Sequence, residues 1–261
     1  MLTLDAYTPP EIARRVEEAA VLKASRGALQ TFVLAILAGA FIALGAALCT
    51  LIVQDTIVTP GLTRWVGGVA FSLGLILVCV AGSELFTGNN LLVMAVVDGR
   101  VSQGSLFRHG VLVYFGNFAG AFGIALLMHL ADAWNSGAGA YGRMAISIGV
   151  AKAALPFGTA LARGILCNLL VCLAVWMTFA CRSVADRVLV IVPPIAAFVA
   201  LGFEHSVANM YFIPAAWLAG RPFDLGSALW DNLLPVTIGN ILGGGFGVGL
   251  VYKLVYGSRA P

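Results

Sequence analysis

The sequence predicts an all-α integral membrane protein with six transmembrane helices, arranged as two inverted repeats of three helices, with the second and fifth helices broken. Three observations lead to this fold class. The 261 residues are 60% hydrophobic and only 10% charged, with a mean hydropathy of +0.96, which leaves too few charges to cover a soluble surface. The apolar residues form runs long enough to cross a bilayer. A polar motif recurs inside two of these runs.

The N-terminal segment is predicted to form an amphipathic helix over residues 10–26, lying at the membrane interface. Ile12, Val16 and Ala20 recur at helical spacing, whereas charged residues fill the rest of the circumference. The acidic residues and the lack of a short apolar core argue against a signal peptide. A solvated tail is the alternative for this segment.

The first half of the chain contains three predicted spans, at about residues 28–53, 65–97 and 106–131. The second of these is too long for one helix, because about 33 residues would extend roughly 50 Å across a hydrocarbon core of about 30 Å. We therefore expect it to break at the polar residues 82–90, which we call the first island. Non-helical backbone at this depth requires protein or water partners.

The second half repeats the pattern after a connection at 132–155 that is predicted to include a short interfacial helix. Its spans are expected at 157–180, 188–220 and 232–256. The fifth span is again too long, and we expect it to break at residues 202–210, the second island.

An internal repeat relates the two halves in order. The first-island residues recur 120 positions later in the second island, and a Gly-Asn pair recurs 123 positions later; the matches are Gly82 with Gly202, Glu84 with Glu204, Asn89 with Asn209, Gly116 with Gly239 and Asn117 with Asn240. Repeats at about 28–133 and 157–257, each with three spans, insert in opposite directions. Inverted repeats with broken helices are typical of transporters.

The distribution of basic residues predicts the orientation. Ten of the 15 Lys and Arg residues fall on the face that carries the termini and five on the other, so we expect cytoplasmic termini in the inner membrane. The expected organisation is an N-terminal segment at 1–27, a channel domain at 28–257 and a tail at 258–261.

Composition also excludes several function classes. The five cysteines are scattered through apolar segments and the three histidines form no metal-binding spacing, so we expect no metal, no cofactor and no enzyme active site. A net charge of +3 gives no support for nucleic-acid binding. The partners we expect are the lipid bilayer, a small solute and copies of the chain itself.

Ionisable residues at membrane depth mark the candidate site. His205, Glu84 and Glu204 are each flanked by long apolar stretches, where a charged group costs about 2.5–3.5 kcal/mol and usually serves transport. A structural histidine is the alternative for His205. For the two glutamates, hydrogen bonding to the broken helices and proton handling remain equal possibilities.

The islands resemble those of the formate/nitrite transporter family, and the resemblance covers nearly the whole chain. It rests on the sequences GFEHSVANM at 202–210, GSELFT at 82–87, GILCNLLVCLAVWM at 164–177 and GVAFSLGL at 68–75. This resemblance implies an aquaporin-like fold and a homopentamer with one pore per protomer.

The resemblance also implies roles for individual residues. The substrate-binding set is His205, Thr87, Asn168 and Lys152, with His205 facing Thr87 across the pore, Asn168 near the histidine and Lys152 near the periplasmic entrance. The apolar constrictions are Phe71, Leu75, Leu85 and Phe198, and the helix breaks carry Glu84, Glu204, Asn89 and Asn209. An interfacial lysine is the alternative for Lys152.

We therefore expect passage of a small monovalent anion, above all formate, with His205, Thr87 and Asn168 solvating the anion or passing it a proton. Nitrite and hydrosulfide are the alternatives within the family, since LFTGN at 85–89 is closer to its nitrite branch and LPVTIGN at 234–240 to its formate branch. A water or glycerol pore is the alternative of another class. It lacks support because the paired Asn-Pro-Ala motifs are replaced by Gly-Asn-Asn and Ala-Asn-Met.

Overall fold

A computed structural model describes residues 7–55, 59–220 and 223–257, and within them every regular element is helical. The predicted tail at 258–261 lies outside these residues. The helices are α1 (Pro9–Ala24), α2 (Ala28–Val53), α3 (Pro60–Leu77), α4 (Val93–Val97), α5 (Gln103–Leu130), α6 (Ala140–Ala153), α7 (Phe157–Thr178), α8 (Val184–Ala200), α9 (Ser206–Leu218), α10 (Leu225–Ile241) and α11 (Val251–Tyr256). Short 3-10 or π turns occupy Val78–Gly82, Gly88–Leu92, Ala133–Asn135 and Leu242–Leu250.

Five helical stretches in the described part of the chain are long and apolar enough to cross a membrane. They are Ala28–Val53, Pro60–Gly82, Gln103–Leu130, Phe157–Thr178 and Leu225–Tyr256. The region predicted as the fifth span is instead divided into α8, with 17 residues, and α9, with 13 residues. Neither piece would cross a bilayer alone.

Both islands interrupt their helices, as predicted. After α3 the chain makes a π turn that ends at Gly82 and continues in extended backbone through Ser83. After α8 it turns at Gly202 and stays non-helical until His205. Gly82 and Gly202 have φ angles of +83° and +72°, a region that glycine adopts without steric penalty. The glycine of each island is therefore the residue that allows the helix to end.

The long helices pack in two equivalent sets. α2 packs against α3 and α5, α7 packs against α8 and α10, and α3 meets α8 between the two sets. Glycines bring the backbones together: a Cβ on Gly39 would overlap the carbonyl of Asn117, and a Cβ on Gly239 would overlap the carbonyl of Leu161. Close backbone contact through small residues is the usual packing of membrane helices.

Two expectations need correction. α1 buries Glu17 together with its apolar face, although the sequence places this carboxylate on the polar side, because the cation that pairs with it comes from the far end of the chain. α6 is the short helix expected in the connection, and Tyr141, Ala145 and Gly149 are buried where it packs against α9. The last helix begins at Leu225, seven residues earlier than predicted, because Asp224 caps it by accepting from the Gly226 amide at 3.0 Å.

Candidate functional site

The two islands meet at a buried pair of side chains, Thr87 and His205. The Thr87 Oγ1 lies 2.9 Å from Nε2 of His205, and the two residues are 0% and 2% exposed. The sequence expectation that these residues face each other therefore agrees with the geometry. Each side chain stands at the point where its broken helix resumes.

His205 also caps α9, and this fixes the position of its proton. The amide of Ala208 donates to Nδ1 of His205 at 3.1 Å, so Nδ1 is an acceptor. A neutral imidazole with Nδ1 as acceptor carries its hydrogen on Nε2. The ring therefore donates from Nε2 to the Thr87 hydroxyl, and the hydroxyl hydrogen of Thr87 remains available for another acceptor.

The Thr87 backbone is held by α7. Asn168 donates through Nδ2 to the Thr87 carbonyl at 3.2 Å and to the Asn240 carbonyl at 2.6 Å, and the Cys172 thiol contacts the Thr87 carbonyl at 3.3 Å. Asn168 thus acts on the residue opposite His205 rather than on the imidazole itself. Its amide positions Thr87 relative to the ring.

Aromatic and aliphatic side chains pack around this pair. The rings of Phe71 and Phe198 meet edge to face at 5.5 Å, and Phe198 stacks on His205 at 6.0 Å between centroids. Leu75 and Leu85 are also buried, in the same apolar cluster. Of the four residues predicted as constrictions, Phe198 contacts His205, Phe71 contacts Phe198, and all four belong to one buried apolar cluster.

Glu204 anchors a polar network on the side of the pair away from the termini. Lys152 donates to both carboxylate oxygens, at 3.0 and 3.1 Å, and Asn209 donates to Oε2 at 2.6 Å. Asn232 joins Asn209 to the carbonyl of Lys152, with bonds of 2.7 and 2.9 Å. Lys152 is only 15% exposed, so it is a paired, largely buried cation rather than a free interfacial lysine.

Glu84 anchors the corresponding network on the terminal side. Lys23 contacts Glu84 at 3.1 Å and Asn89 at 2.7 Å, and Arg26 forms a second ion pair with the same carboxylate. Asn89 donates to Glu84 at 2.7 Å and contacts His109 at 3.1 Å. A fully buried glutamate requires such partners, because an unpaired carboxylate is very unfavourable in an apolar interior.

Buried asparagines complete the broken helices. Asn117 accepts from the Phe86 amide at 2.9 Å and donates to the Glu84 carbonyl at 2.9 Å. Asn240 accepts from the Ser206 amide at 2.9 Å and donates to the Glu204 carbonyl at 3.0 Å. These amides satisfy the helix breaks, whereas the two glutamate carboxylates bind lysines and asparagines instead.

A third charged cluster lies at the terminal face, where α1 meets α11. Lys253 donates to Glu17 at 2.8 Å and to Asp98 at 2.5 Å. Desolvation raises the pKa of Glu17, although Lys253 opposes the shift. The pKa of Asp98 is lowered, because the hydrogen bond from Lys253 and other favourable contacts outweigh desolvation. The cluster attaches the N-terminal helix to the last helix of the chain.

Comparison with known proteins identifies the family. A family model described as "Formate/nitrite transporter" matches residues 10–254. The chain belongs to the formate/nitrite transporter family. It is 42% identical to the formate channel FocA of Escherichia coli strain K12, across 97% of this chain and 95% of that protein. Its described residues include five helical stretches that could cross a membrane, and this family member is a multi-pass membrane protein.

Solved structures agree with this family membership. One, titled "Pentameric formate channel with formate bound", is 39% identical, with a TM-score of 0.80 over 88% of this chain and 97% of that chain. Another, titled "FNT family ion channel", is 31% identical, with a TM-score of 0.83 over 94% and 98%. Both similarities extend over nearly the whole length of the chains compared.

The sequence analysis missed four residues of the two glutamate networks: Lys23, Arg26, His109 and Asn232. The repeat gave no signal for Lys23, because its spacing to Lys152 differs from the 120 positions that separate the islands, and only the folded chain shows each lysine beside the glutamate of one island. His109 and Asn232 occupy equivalent places beside Asn89 and Asn209 but differ in residue type, so no repeat search would match them. In the described residues, no group of three or more His, Cys, Asp or Glu side chains is arranged to hold a metal ion.

Proposed function

We propose that this family member conducts formate through a pore in each protomer of a homopentamer. The observation that carries the proposal is the buried Thr87–His205 pair, with a hydroxyl hydrogen left for an anion and aromatic rings beside it. The relatives named as formate channels and the neighbour titled as a pentameric formate channel support both substrate and assembly.

The networks at the two glutamates support a path with an entrance on either side of the pair. Lys23 and Lys152 raise the local concentration of anions, and each remains tethered to its glutamate. Between them the anion passes Phe71, Leu75, Leu85 and Phe198, where bulk water is excluded. Loss of hydration is unfavourable for a charge, so a hydrogen-bond donor at the narrowest part is required.

We assign that donor to the Thr87 hydroxyl, oriented by His205. Because Nδ1 of His205 accepts from Ala208, the ring at rest is neutral and donates to Thr87. A second proton must bind at Nδ1, and it would then face the N–H of Ala208, so proton uptake requires this contact to open. An arriving anion favours the imidazolium and supplies the driving force for that step.

Asn168 and the glutamate and asparagine of each island hold this geometry rather than contact the anion. Asn168 positions Thr87 through its carbonyl, and Asn89 and Asn209 hold the carboxylates of Glu84 and Glu204. We assign these four island residues a structural role, because their polar atoms bind lysine and asparagine partners. Proton handling by the glutamates is the alternative that neutral substitutions would test.

We further propose that the protein resides in the inner membrane with both termini in the cytoplasm. The excess of basic residues on the terminal face supports this orientation. In this arrangement the 1–27 segment docks through α1, and residues 28–257 form the channel domain. The channel domain crosses the membrane six times, and α8 and α9 together form the fifth crossing. Accessibility of single cysteines to a membrane-impermeant reagent in intact cells tests the orientation.

The decisive experiment measures flux into proteoliposomes for wild type, His205→Phe and His205→Asn at matched pentamer amounts. Formate, nitrite, hydrosulfide and glycerol are compared across pH 5–8. We expect the highest flux for formate, loss of that flux in His205→Phe and a leaky, pH-insensitive flux in His205→Asn. Formate flux that survives in His205→Phe contradicts the assigned site. Superimposable pH profiles for wild type and His205→Asn contradict the proton step.

A further inference from the structure

A cavity of about 310 Å³ lies beside α1 on the terminal side of the first island, and we call it the α1 vestibule. Its volume falls at the lower end of the range for small-molecule sites and exceeds what a formate ion needs. Four cations line it against the single carboxylate of Glu84; they are Arg15, Lys23, Arg26 and Arg187. The lining therefore carries a clear excess of positive charge.

Two of these cations have no acidic partner. Lys23 and Arg26 pair with Glu84, whereas Arg15 and Arg187 form no ion pair with the acidic residues in the described ranges. The Arg15 guanidinium is placed over the ring of Tyr7, at 3.9 Å from its centroid, and this contact leaves its N–H groups free for an acceptor. Formate passage alone does not explain two additional arginines at this position.

Two residues that line the same cavity each have a buried polar atom without a partner. Arg15 Nε and Ser83 Oγ are both inaccessible to solvent and make no hydrogen bond. Ser83 is only 9% exposed, lines the cavity and precedes Glu84. Unsatisfied buried donors are unfavourable by about 1–3 kcal/mol each, so a ligand that accepts from both would be stabilised.

We propose that the α1 vestibule binds a phosphate dianion, either free or as a small phosphate monoester, and that the bound anion closes the pore. A phosphate dianion has two negative charges and several acceptor oxygens. These oxygens can accept from the guanidinium of Arg15, from Arg187 and from the hydroxyl of Ser83. Formate has one charge and two oxygens and leaves part of this donor set unused.

Blockage follows from the position of the cavity and rests on the proposed formate pore. Leu85 lines the inner part of the vestibule and lies two residues before Thr87. A dianion loses far more hydration energy than a monoanion at such an apolar passage, because the hydration energy of an ion rises with the square of its charge. Phosphate therefore stays in the vestibule, where it occupies the entry route of formate.

The binding test uses the detergent-solubilised pentamer and equilibrium dialysis with radiolabelled inorganic phosphate, with glycerol phosphate as a competitor. Wild type is compared with Arg15→Gln, Ser83→Ala and the control Arg14→Gln. Arg14 is exposed on the same helix and does not line the cavity, so the control removes the same charge at a neighbouring position. We expect one saturable site per protomer in wild type and in the control.

Arg15→Gln should weaken phosphate binding at least tenfold, which corresponds to about 1.4 kcal/mol, and Ser83→Ala should weaken it several-fold. Competition by glycerol phosphate at similar concentrations indicates a monoester site, and its failure to compete indicates free phosphate. The inference is overturned if wild type shows no saturable binding, or if Arg15→Gln binds as tightly as Arg14→Gln.

Formate flux separates this inference from the proposed function. Flux without phosphate tests the pore, whereas phosphate added on both sides of the vesicles tests the block. We expect phosphate to inhibit wild type and Arg14→Gln but to inhibit Arg15→Gln at least tenfold less potently. Normal formate flux that phosphate leaves unchanged refutes the block and leaves the pore intact; absent formate flux with intact phosphate binding refutes the pore alone.

Discussion

Replacing Asn240 by alanine should destabilise the protein strongly, because its side chain satisfies backbone groups at the second helix break. Asn240 is fully buried and makes three side-chain bonds: to the Ser206 amide at 2.9 Å, to the Glu204 carbonyl at 3.0 Å and to the Gly164 carbonyl at 2.8 Å. The Gly164 carbonyl lies within α7, where it can still accept an intrahelical bond. The other two groups belong to the helix break and would be left without their partner.

The magnitude follows from these two groups. An unsatisfied buried backbone group is unfavourable by about 1–3 kcal/mol, so Asn240→Ala should lose about 4 kcal/mol. For a chain of this size that corresponds to a fall in melting temperature of roughly 10 °C. Asn117→Ala should behave similarly, because Asn117 bonds to Phe86, Glu84 and Ala35 in the same way.

The assay is thermal unfolding of the solubilised pentamer, followed by size-exclusion fluorescence. Asn135→Ala is the matched control, because Asn135 is exposed and makes one surface bond to Asp132 at 2.7 Å. The control should melt within about 2 °C of wild type. The reasoning is refuted if Asn240→Ala melts at the temperature of the control.

Three further changes test other parts of the fold. Gly39→Ala should reduce the amount of pentamer recovered by size exclusion, because the added Cβ would overlap a carbonyl of α5. Gly104→Ala is the control: its Cβ would meet no atom within 4 Å, so the yield of pentamer should be normal. Lys253→Met should lower the melting temperature, because it leaves the buried carboxylate of Glu17 unpaired. Adding Glu17→Gln should restore part of that temperature. An unchanged melting temperature in Lys253→Met, or no recovery in the double variant, would contradict this pairing. Ser183 and Asp186 cap the start of α8, and the hydrogen bond from the Ser183 N–H lowers the pKa of Asp186. The cap therefore stabilises the helix at neutral pH, and this contribution is lost as the pH falls below about 4. Asp186→Asn should flatten that acid dependence in melting scans, and unchanged scans would exclude the cap as its source.

The sequence was sufficient for the features that depend on local pattern. Span lengths and the two islands predicted where the helices break, because an apolar run longer than the bilayer must be interrupted at its polar residues. The pairing of Thr87 with His205 came from family resemblance. Neither composition nor spacing alone would have identified it.

The features that depend on distant partners were not predictable. Lys23 reads as one charge among several on α1, and only the folded chain brings it to Glu84, 61 positions away. Glu17 was expected on the polar side of α1, because its partner Lys253 lies 236 positions away and cannot be identified from the local sequence. A helical pattern describes which residues share a face, but it does not describe what covers that face.

The attachment of α1 to α11 has a consequence for biosynthesis. Glu17 and Lys253 are 236 positions apart, so about 10 to 50 s separate their synthesis at about 5–20 residues per second. During this interval α1 lacks the ammonium group that neutralises its buried carboxylate. Docking of α1 through this pair therefore waits until α11 has been made. The preceding membrane helices are therefore synthesised before α1 can dock through this ion pair.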